Sequence, residues 1–250
     1  FLGITISVFL LIVVIEEARQ ETLVATESLR RDETMAEMGE LVGGVAHEVR
    51  NPLMAISSGL QTLAAAEPEL AGRQTGIFAD VMTGVARLTA LTRDLLEYGR
   101  PTDPELLPGD AAGVVRNAAA ACAPLAATTG VRIAVDVTDP LPPAVMDPGR
   151  LVQVFVNLIT NASQHSSAGA EVRISVAERM RAGHRVVECD VVDTGPGFPS
   201  DLLPQLFHPF ASRRPGGTGL GLAIARRLIE QQRGEITAVN RPDGGSLVRV

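Results

Sequence analysis

The sequence predicts a chain of several domains, in which an all-α helical hairpin is followed by an α+β domain. Between residues 38 and 98, apolar residues recur at steps of three or four, which is the spacing of one face of a packed helix. A proline-rich stretch, YGRPTDPELLPGD, then interrupts this pattern, as interdomain linkers do. Beyond it, strand-like alternation is mixed with helical spacing, which indicates helices packed on a sheet.

The first fifteen residues, FLGITISVFLLIVVI, carry no charge. A transmembrane helix needs roughly 20 apolar residues, so a secretory h-region and a buried core helix are alternatives. We favour the end of a transmembrane helix, because no basic segment precedes the run and no small-residue cleavage site follows it. A charged, helix-prone stretch over 16–36 continues directly and is expected to be a signalling linker. This predicts a chain anchored in the cell membrane, with the following region in the cytoplasm.

Two apolar stripes predict a helical hairpin over residues 37–100. They comprise Met38, Val42, Val45, Val49, Ile56, Leu60 and Leu63, and then Ile77, Val81, Val85, Leu88, Leu91, Leu95 and Tyr98. Because one narrow stripe on each of two helices buries too little apolar surface, we expect two hairpins to form a homodimeric four-helix bundle. His47 lies roughly 200° round the helix from Val45, so its ring should face solvent. Pro52 cannot donate to the carbonyl of Glu48 and predicts a bend there.

After a linker at 101–108, residues 109–250 predict the α+β domain. Apolar alternation predicts strands at 131–137, 172–176 and 184–192, and a hairpin with an Asp-Gly-Gly turn at 235–250. Helical spacing predicts a helix within 147–165, between the first two strands. The alanine-rich stretch at 116–127 is a good helix former.

Charge and composition exclude several classes of function. The net charge is −7 and the arginines are scattered, which argues against a nucleic-acid partner. All 22 residues counted as Lys or Arg are arginines, so a P-loop lysine, the strand lysine of Ser/Thr/Tyr kinases and a Schiff-base lysine are all excluded. Cys122 and Cys189 lack metal-ligand spacing and are expected to be reduced thiols.

Five short motifs occur in an order that is specific to one family. They are HEVRNPL at 47–53, NLITNA at 157–162, DTGPGF at 193–198, LFHPF at 206–210 and GTGLGL at 217–222. Together they resemble the H, N, G1, F and G2 boxes of the sensor histidine kinases of two-component systems. The resemblance covers about residues 36–250 and implies a phosphoacceptor and dimerisation domain followed by a Bergerat-type ATP-binding domain. It also implies ATP and Mg²⁺ as cofactors and a response regulator receiver domain as partner.

The first motif contains the residues that the resemblance makes catalytic. Histidine suits phosphoryl transfer because one ring nitrogen is unprotonated near neutral pH, and His47 is therefore the predicted phosphate acceptor. Glu48 resembles the acidic residue that holds the imidazole tautomer and accepts a proton, with a solvated surface charge as the alternative. Asn51 resembles the residue that positions a water for removing phosphate from the partner, although a helix-kink cap is equally compatible with the sequence.

The other motifs predict the ATP site. Asn157 and Asn161 lie one helical turn apart on one face. The resemblance makes Asn161 the Mg²⁺ ligand, through its amide oxygen, and Asn157 its support. His165 matches a position beside the base, with an exposed histidine as the alternative, and Asp193 matches a carboxylate that reads adenine. The remaining residues expected along the nucleotide are Gly195, Gly197, Arg214, Gly217, Thr218, Gly219, Leu220 and Gly221.

A loop rich in Pro and Gly, from Pro199 to Gly219, is expected to be an ATP lid. The glycines after it open a helix, so its N–H groups and dipole should face phosphates. A dinucleotide-binding fold is disfavoured, because the spacing is G-x-G-x-G and no strand precedes it.

Two other functions compete with the kinase. One is a degenerate scaffold that binds nucleotide without transferring phosphate, and intact His47, Glu48, Asn161 and Asp193 argue against it. The other is an ATPase of the gyrase and heat-shock chaperone type. That type has a water-activating Glu where this chain has Asn157, so hydrolysis to water should be poor.

Overall fold

The computed structural model describes residues 49, 52–54, 56, 58–60, 62, 75–99, 103–138, 140–181, 183–213 and 217–250. The predicted transmembrane segment at 1–15 and the linker at 16–36 lie outside this set. So do four predicted site residues: His47, Glu48, Asn51 and Arg214. Among the described residues, no helix combines the length and the apolar character that crossing a bilayer requires.

Helix α1 (Thr75–Gly99) lies in the region predicted as the helical hairpin. Pro52 and the other described residues between 49 and 62 are also helical. Val85 and Thr92, seven residues apart on α1, are buried, and the Thr92 hydroxyl donates to the Leu88 carbonyl oxygen at 2.7 Å. Other apolar side chains of this region are 39% to 59% exposed, namely Val49, Met54, Ile56, Val81 and Leu88. An apolar surface is therefore left uncovered by the described part of this chain.

The α+β domain contains a mixed sheet of five strands in the order β2-β4-β5-β7-β6. The strands are β2 (Arg132–Val137), β4 (Glu171–Arg181), β5 (His184–Val192), β6 (Thr237–Asn240) and β7 (Ser246–Arg249). Strands β2 and β4 are parallel, and the other neighbours are antiparallel. Alternate residues of β4, namely Val172, Ile174 and Val176, are fully buried in the core, so this strand presents one face to the helices.

The described residues of this domain also form three α-helices: α2 (Ala111–Thr129), α3 (Pro148–His165) and α4 (Gly221–Gln231). Asp147 caps α3 by accepting a hydrogen bond from the Arg150 backbone N–H at 3.1 Å, and a proline at the first turn suits a helix start. The buried face of α3 includes Phe155, Leu158 and Ile159. These side chains join those of α2 and the sheet in one hydrophobic core.

A short antiparallel ribbon was not predicted. Strand β1 (Leu107–Gly109) pairs with β3 (Ala144–Met146). Two residues of β1 lie within the stretch assigned to the linker, and the Glu105 N–H also donates to the Asp147 carboxylate at 3.1 Å. Strands of three residues are too short for an alternation pattern to show in the sequence.

Candidate ATP-binding site

A cleft of about 450 Å³ lies between α3, the segment before α4, and α1. Seven of the predicted nucleotide-binding residues line it: Asn157, Asn161, His165, Gly217, Thr218, Gly219 and Gly221. Helix α1 also lines the cleft, through Ala90, Arg93 and Asp94. The Asp94 carboxylate accepts a hydrogen bond from the Thr218 hydroxyl at 2.9 Å. No contribution from α1 was predicted, because 124 residues separate Asp94 from Thr218.

The polar face of α3 forms one wall of the cleft. Asn157, Asn161 and His165 recur every four residues, so they lie along one side of the helix, next to its buried core face. The Asn157 amide donates to the Gly221 carbonyl oxygen at 3.2 Å, which ties α3 to the start of α4. His165 Nδ1 lies 2.9 Å from the Asn161 carbonyl oxygen. The side chain of Asn161 has no hydrogen-bond partner among the described residues, so its amide oxygen is available to a ligand.

Asp193 follows β5 directly and is only 6% exposed. One carboxylate oxygen accepts hydrogen bonds from the Gly195 N–H at 2.8 Å and from the Ser246 N–H at 3.3 Å, and the other accepts from the Ser246 hydroxyl. These three donors offset the cost of burying the carboxylate and fix its orientation. Sequence reasoning missed Ser246, whose position beside Asp193 depends on the pairing of β5 with β7.

The loop after Asp193 is held closely on two sides. A Cβ at Gly195 would lie 2.6 Å from the His165 carbonyl oxygen, so this loop touches the end of α3 where only glycine fits. Gly197 has φ of +76°. The Asn240 side chain accepts from the Phe198 N–H at 2.7 Å and donates to the Phe198 carbonyl oxygen at 2.8 Å. Asn240 was also missed by sequence reasoning, because it clamps a loop 42 residues away.

Asp193, Gly195 and Gly197 do not line the 450 Å³ cleft. They adjoin it through His165, whose side chain lines the cleft and whose carbonyl oxygen meets Gly195. The predicted nucleotide-site residues that the structure describes are therefore brought into one region, with Asp193 at one end and the glycine-rich segment at the other.

The predicted lid contains a short 3₁₀ turn at Leu203–Gln205. Leu206, 3% exposed, anchors this segment, whereas Phe210 is 63% exposed and has φ of +63°. Gly219 has φ of +67°, and a Cβ there would lie 2.6 Å from the Phe210 carbonyl carbon. Leu220 is fully buried and does not line the cleft; it precedes α4. The close approach of Gly219 to Phe210 packs the end of the lid against its middle.

The described part of the chain contains no cluster of three or more His, Cys, Asp or Glu side chains that could hold a metal ion. The roles of His47, Glu48, Asn51 and Arg214 stay predictions.

Two protein families match the chain in succession. Residues 37–104 match the His Kinase A (phospho-acceptor) domain, and residues 146–250 match the Histidine kinase-, DNA gyrase B-, and HSP90-like ATPase family. The sensor histidine kinase ZraS of Escherichia coli strain K12 is 32% identical over 221 residues, which are 88% of this chain and 46% of ZraS. The sensory histidine kinase/phosphatase NtrB of Rhodobacter capsulatus is 32% identical over 225 residues, which are 86% of this chain and 60% of NtrB.

Solved histidine kinases have a similar structure. Full-length ShkA in complex with AMPPNP gives a TM-score of 0.68 at 28% identity, over 84% of this chain and 44% of ShkA. ThkA in complex with the response regulator protein TrrA gives a TM-score of 0.61 at 24% identity, over 88% of this chain and 62% of ThkA, a likeness of fold.

The chain spans about half of the length of ZraS and 60% of NtrB. The predicted family and the predicted order, a helical region followed by an α+β domain, are confirmed by these matches. Both regions of the family are present in sequence, and the second has the fold and the cleft described above. The chain belongs to the sensor histidine kinases of two-component systems, and its α+β domain is their ATP-binding domain.

Proposed function

We propose that this chain is an ATP-dependent protein-histidine kinase that phosphorylates itself on His47 and passes the phosphoryl group to an aspartate of a response regulator receiver domain. The observation that supports this most is the convergence of Asn157, Asn161 and Thr218 on one cleft of a domain of this family. The structure of ShkA with AMPPNP supports ATP as the nucleotide.

The adenine end of the site is proposed to lie at Asp193. Its carboxylate is fixed by Ser246 and Gly195, and a carboxylate accepts hydrogen bonds but cannot donate them. The amino group of adenine can donate to it, whereas guanine offers a carbonyl oxygen at the equivalent position. The site should therefore prefer ATP to GTP.

The phosphate end is proposed to lie at the glycine-rich segment Gly217, Thr218, Gly219, Leu220 and Gly221. Helix α4 begins there, so its first N–H groups and its positive dipole end favour anions. Arg214 is proposed to contribute from the lid. Gly195 and Gly197 are proposed to let the backbone approach the base and sugar.

Mg²⁺ is the second proposed cofactor, and the donor set fits it. The cleft offers the amide oxygen of Asn161, a neutral ligand of the hard type that Mg²⁺ accepts, and the ATP phosphates would supply the anionic ligands. Asn157, whose amide is bonded to Gly221, is placed to support this wall. When bound, the ion would neutralise charge that develops on the phosphates.

The acceptor chemistry is proposed for the first motif. A ring nitrogen of His47 attacks the γ-phosphorus, the bond to the ADP oxygen breaks, and Glu48 accepts the ring proton. Asn51 is proposed to position a water that removes phosphate from the response regulator. NtrB is named a kinase and phosphatase, which supports a role of this kind.

The exposed apolar side chains of the helical region support a homodimer. Val81 and Leu88 are 43% and 49% exposed although they belong to the predicted stripe, and a second hairpin would cover them in a four-helix bundle. We further propose that residues 37–100 form this dimerisation domain, with a linker at 101–108 and the ATP-binding domain at 109–250. Residues 1–15 would anchor the chain in the cell membrane and 16–36 would connect the anchor to the dimer.

Incubation of the purified chain with ATP labelled on either the γ- or the α-phosphate tests the kinase. The γ-label should be retained in an acid-labile form and the α-label should not, because the γ-phosphoryl group forms a phosphoramidate. His47→Gln should abolish retention while ATP binding stays within a few fold. A scaffold would bind ATP without retaining label, and an ATPase would release labelled phosphate instead, so either result would overturn the kinase assignment.

A further inference from the structure

Helix α1, which belongs to the helical region, packs against the ATP-binding domain beside the cleft. Its contacts among the described residues include three that are specific. The Thr218 hydroxyl donates to Asp94, the Gln153 amide donates to Glu97 at 3.1 Å, and the guanidinium carbon of Arg227 lies 5.4 Å from the centre of the Tyr98 ring. Of these three contacts, only the one through Asp94 lies in the cleft; Glu97 and Tyr98 line a separate cavity of about 270 Å³.

The contact through Asp94 uses a donor that a phosphate would otherwise need. A threonine hydroxyl carries one proton, and in this arrangement Thr218 donates it to Asp94 at 2.9 Å. The same hydroxyl oxygen accepts from the Leu220 N–H at 3.3 Å. The one proton that the Thr218 hydroxyl could donate to a phosphate is thus directed to α1.

The charge of Asp94 opposes the same ligand. Its carboxylate lies at the cleft with 19% of its side chain exposed, beside the glycine-rich segment and Asn161. Arg93 lies 3.6 Å from it, but the Arg93 side chain is 66% exposed and therefore well screened by water. A triphosphate that entered the cleft would meet this carboxylate at close range, and like charges repel most strongly where water is partly excluded.

We propose that Asp94 occupies the phosphate end of the ATP site as an internal anion, so that helix α1 and the nucleotide phosphates compete for Thr218. This inference rests on the proposed function, because it takes the glycine-rich segment as the phosphate site. Binding of ATP breaks the bond between Thr218 and Asp94, whereas the contacts of α1 through Glu97 and Tyr98 lie outside the cleft and are kept. ATP thus displaces one bond of α1 and not the helix as a whole.

The test is a titration of the full chain with ATP, ADP and adenosine, for the wild type and for Asp94→Ala and Asp94→Asn. Asp94→Ala should raise the affinity for ATP and ADP by about fivefold or more, which is the scale of one hydrogen bond. Its affinity for adenosine should be unchanged. Asp94→Asn has the same size but no charge, and it should tighten ATP in the same direction. Adenosine lacks phosphates, so it separates competition for the phosphate end from a general opening of the cleft.

Glu97→Ala is the matched control. It also removes one negative charge and one contact of α1, but Glu97 does not line the cleft, so ATP affinity should stay close to that of the wild type. The inference would be overturned if Glu97→Ala tightened ATP binding as much as Asp94→Ala does, or if Asp94→Ala tightened adenosine binding equally. It would also be overturned if neither Asp94 variant bound ATP more tightly than the wild type. A wild-type chain that fails to bind ATP would instead overturn the proposed function.

Discussion

Replacing Gly245 with alanine should weaken ATP binding, although Gly245 lies in the turn before β7. Gly245 is the second glycine of the Asp-Gly-Gly turn and has φ of +80°. A Cβ there would overlap the Asp193 carbonyl oxygen and lie 2.8 Å from its carbonyl carbon and 2.9 Å from the Thr194 Cα. All of these neighbours are backbone atoms, so the end of β5 that carries Asp193 has to move.

Gly244→Ala is the matched control, because Gly244 has φ of +89° and no atom within 4 Å of its Cβ position. Both substitutions place an L-residue in the left-handed region, at roughly 1–2 kcal/mol. Only Gly245→Ala also disturbs the bonds of Asp193 with Gly195 and Ser246, which adds about 1 kcal/mol for each bond lost. If adenine then loses a hydrogen bond to the displaced carboxylate, worth about 1.5–3 kcal/mol, the Kd for ATP should rise about 10- to 150-fold.

Urea unfolding and calorimetric titration with ATP would compare the wild type with these two variants. Gly244→Ala should lose stability but keep its affinity, and Gly245→Ala should lose more stability and also affinity. Equal losses in the two variants would refute the claim that contact with the Asp193 backbone matters. An unchanged Kd in a destabilised Gly245→Ala would refute the placement of adenine at Asp193.

Three further predictions concern other parts of the domain. Asn161→Ala and Asn161→Asp should slow transfer of the γ-phosphoryl group by orders of magnitude, because a clamped metal ion supplies several kcal/mol of transition-state stabilisation. Asn157→Ala should have a milder effect. Autophosphorylation rates measured against Mg²⁺ concentration would contradict this ranking if the Asn157 variant proved the more impaired. Asn240→Ala removes both hydrogen bonds to Phe198 and should speed amide exchange in residues 194–198, whereas unchanged exchange would show that the clamp is dispensable. Burial raises the pKa of the Cys189 thiol from 9.0 to about 12. The stability that the protonated thiol contributes is therefore complete below pH 9, and it is lost as the pH rises towards 12, at about 1.4 kcal/mol per pH unit. Cys189→Ala should flatten that decline in urea unfolding between pH 9 and 10, and an equally steep decline would contradict it.

The sequence was most informative where a pattern repeats over several turns or strands. The apolar positions of α3, including Phe155 and Leu158, predicted its buried face, and the same helix then necessarily presents Asn157 and Asn161 together on the side next to it. The Asp-Gly-Gly turn predicted the last hairpin in the same way. Local periodicity is enough in these cases because each element is long or sharply punctuated.

The sequence was least informative where a contact depends on how distant elements are placed. Ser246 reaches Asp193 only through the pairing of β5 with β7. Asn240 reaches Phe198 only once the loop at 194–198 lies beside β6. The bond between Asp94 and Thr218 joins the helical region to the ATP-binding domain. No spacing rule could have revealed these contacts, because hydrogen-bond partners far apart in the chain carry no periodic signal.

The central claim is that the γ-phosphoryl group of ATP is transferred to His47. Peptide mapping by mass spectrometry, under alkaline conditions that preserve phosphohistidine, tests it most directly on the chain after incubation with ATP and Mg²⁺. The phosphoryl group should be found on the peptide that contains His47, and Asp193→Asn, which impairs the adenine site, should strongly reduce it. A phosphoryl group on His165, His184 or His208 instead, or none on the chain while ATP is bound, would contradict the account.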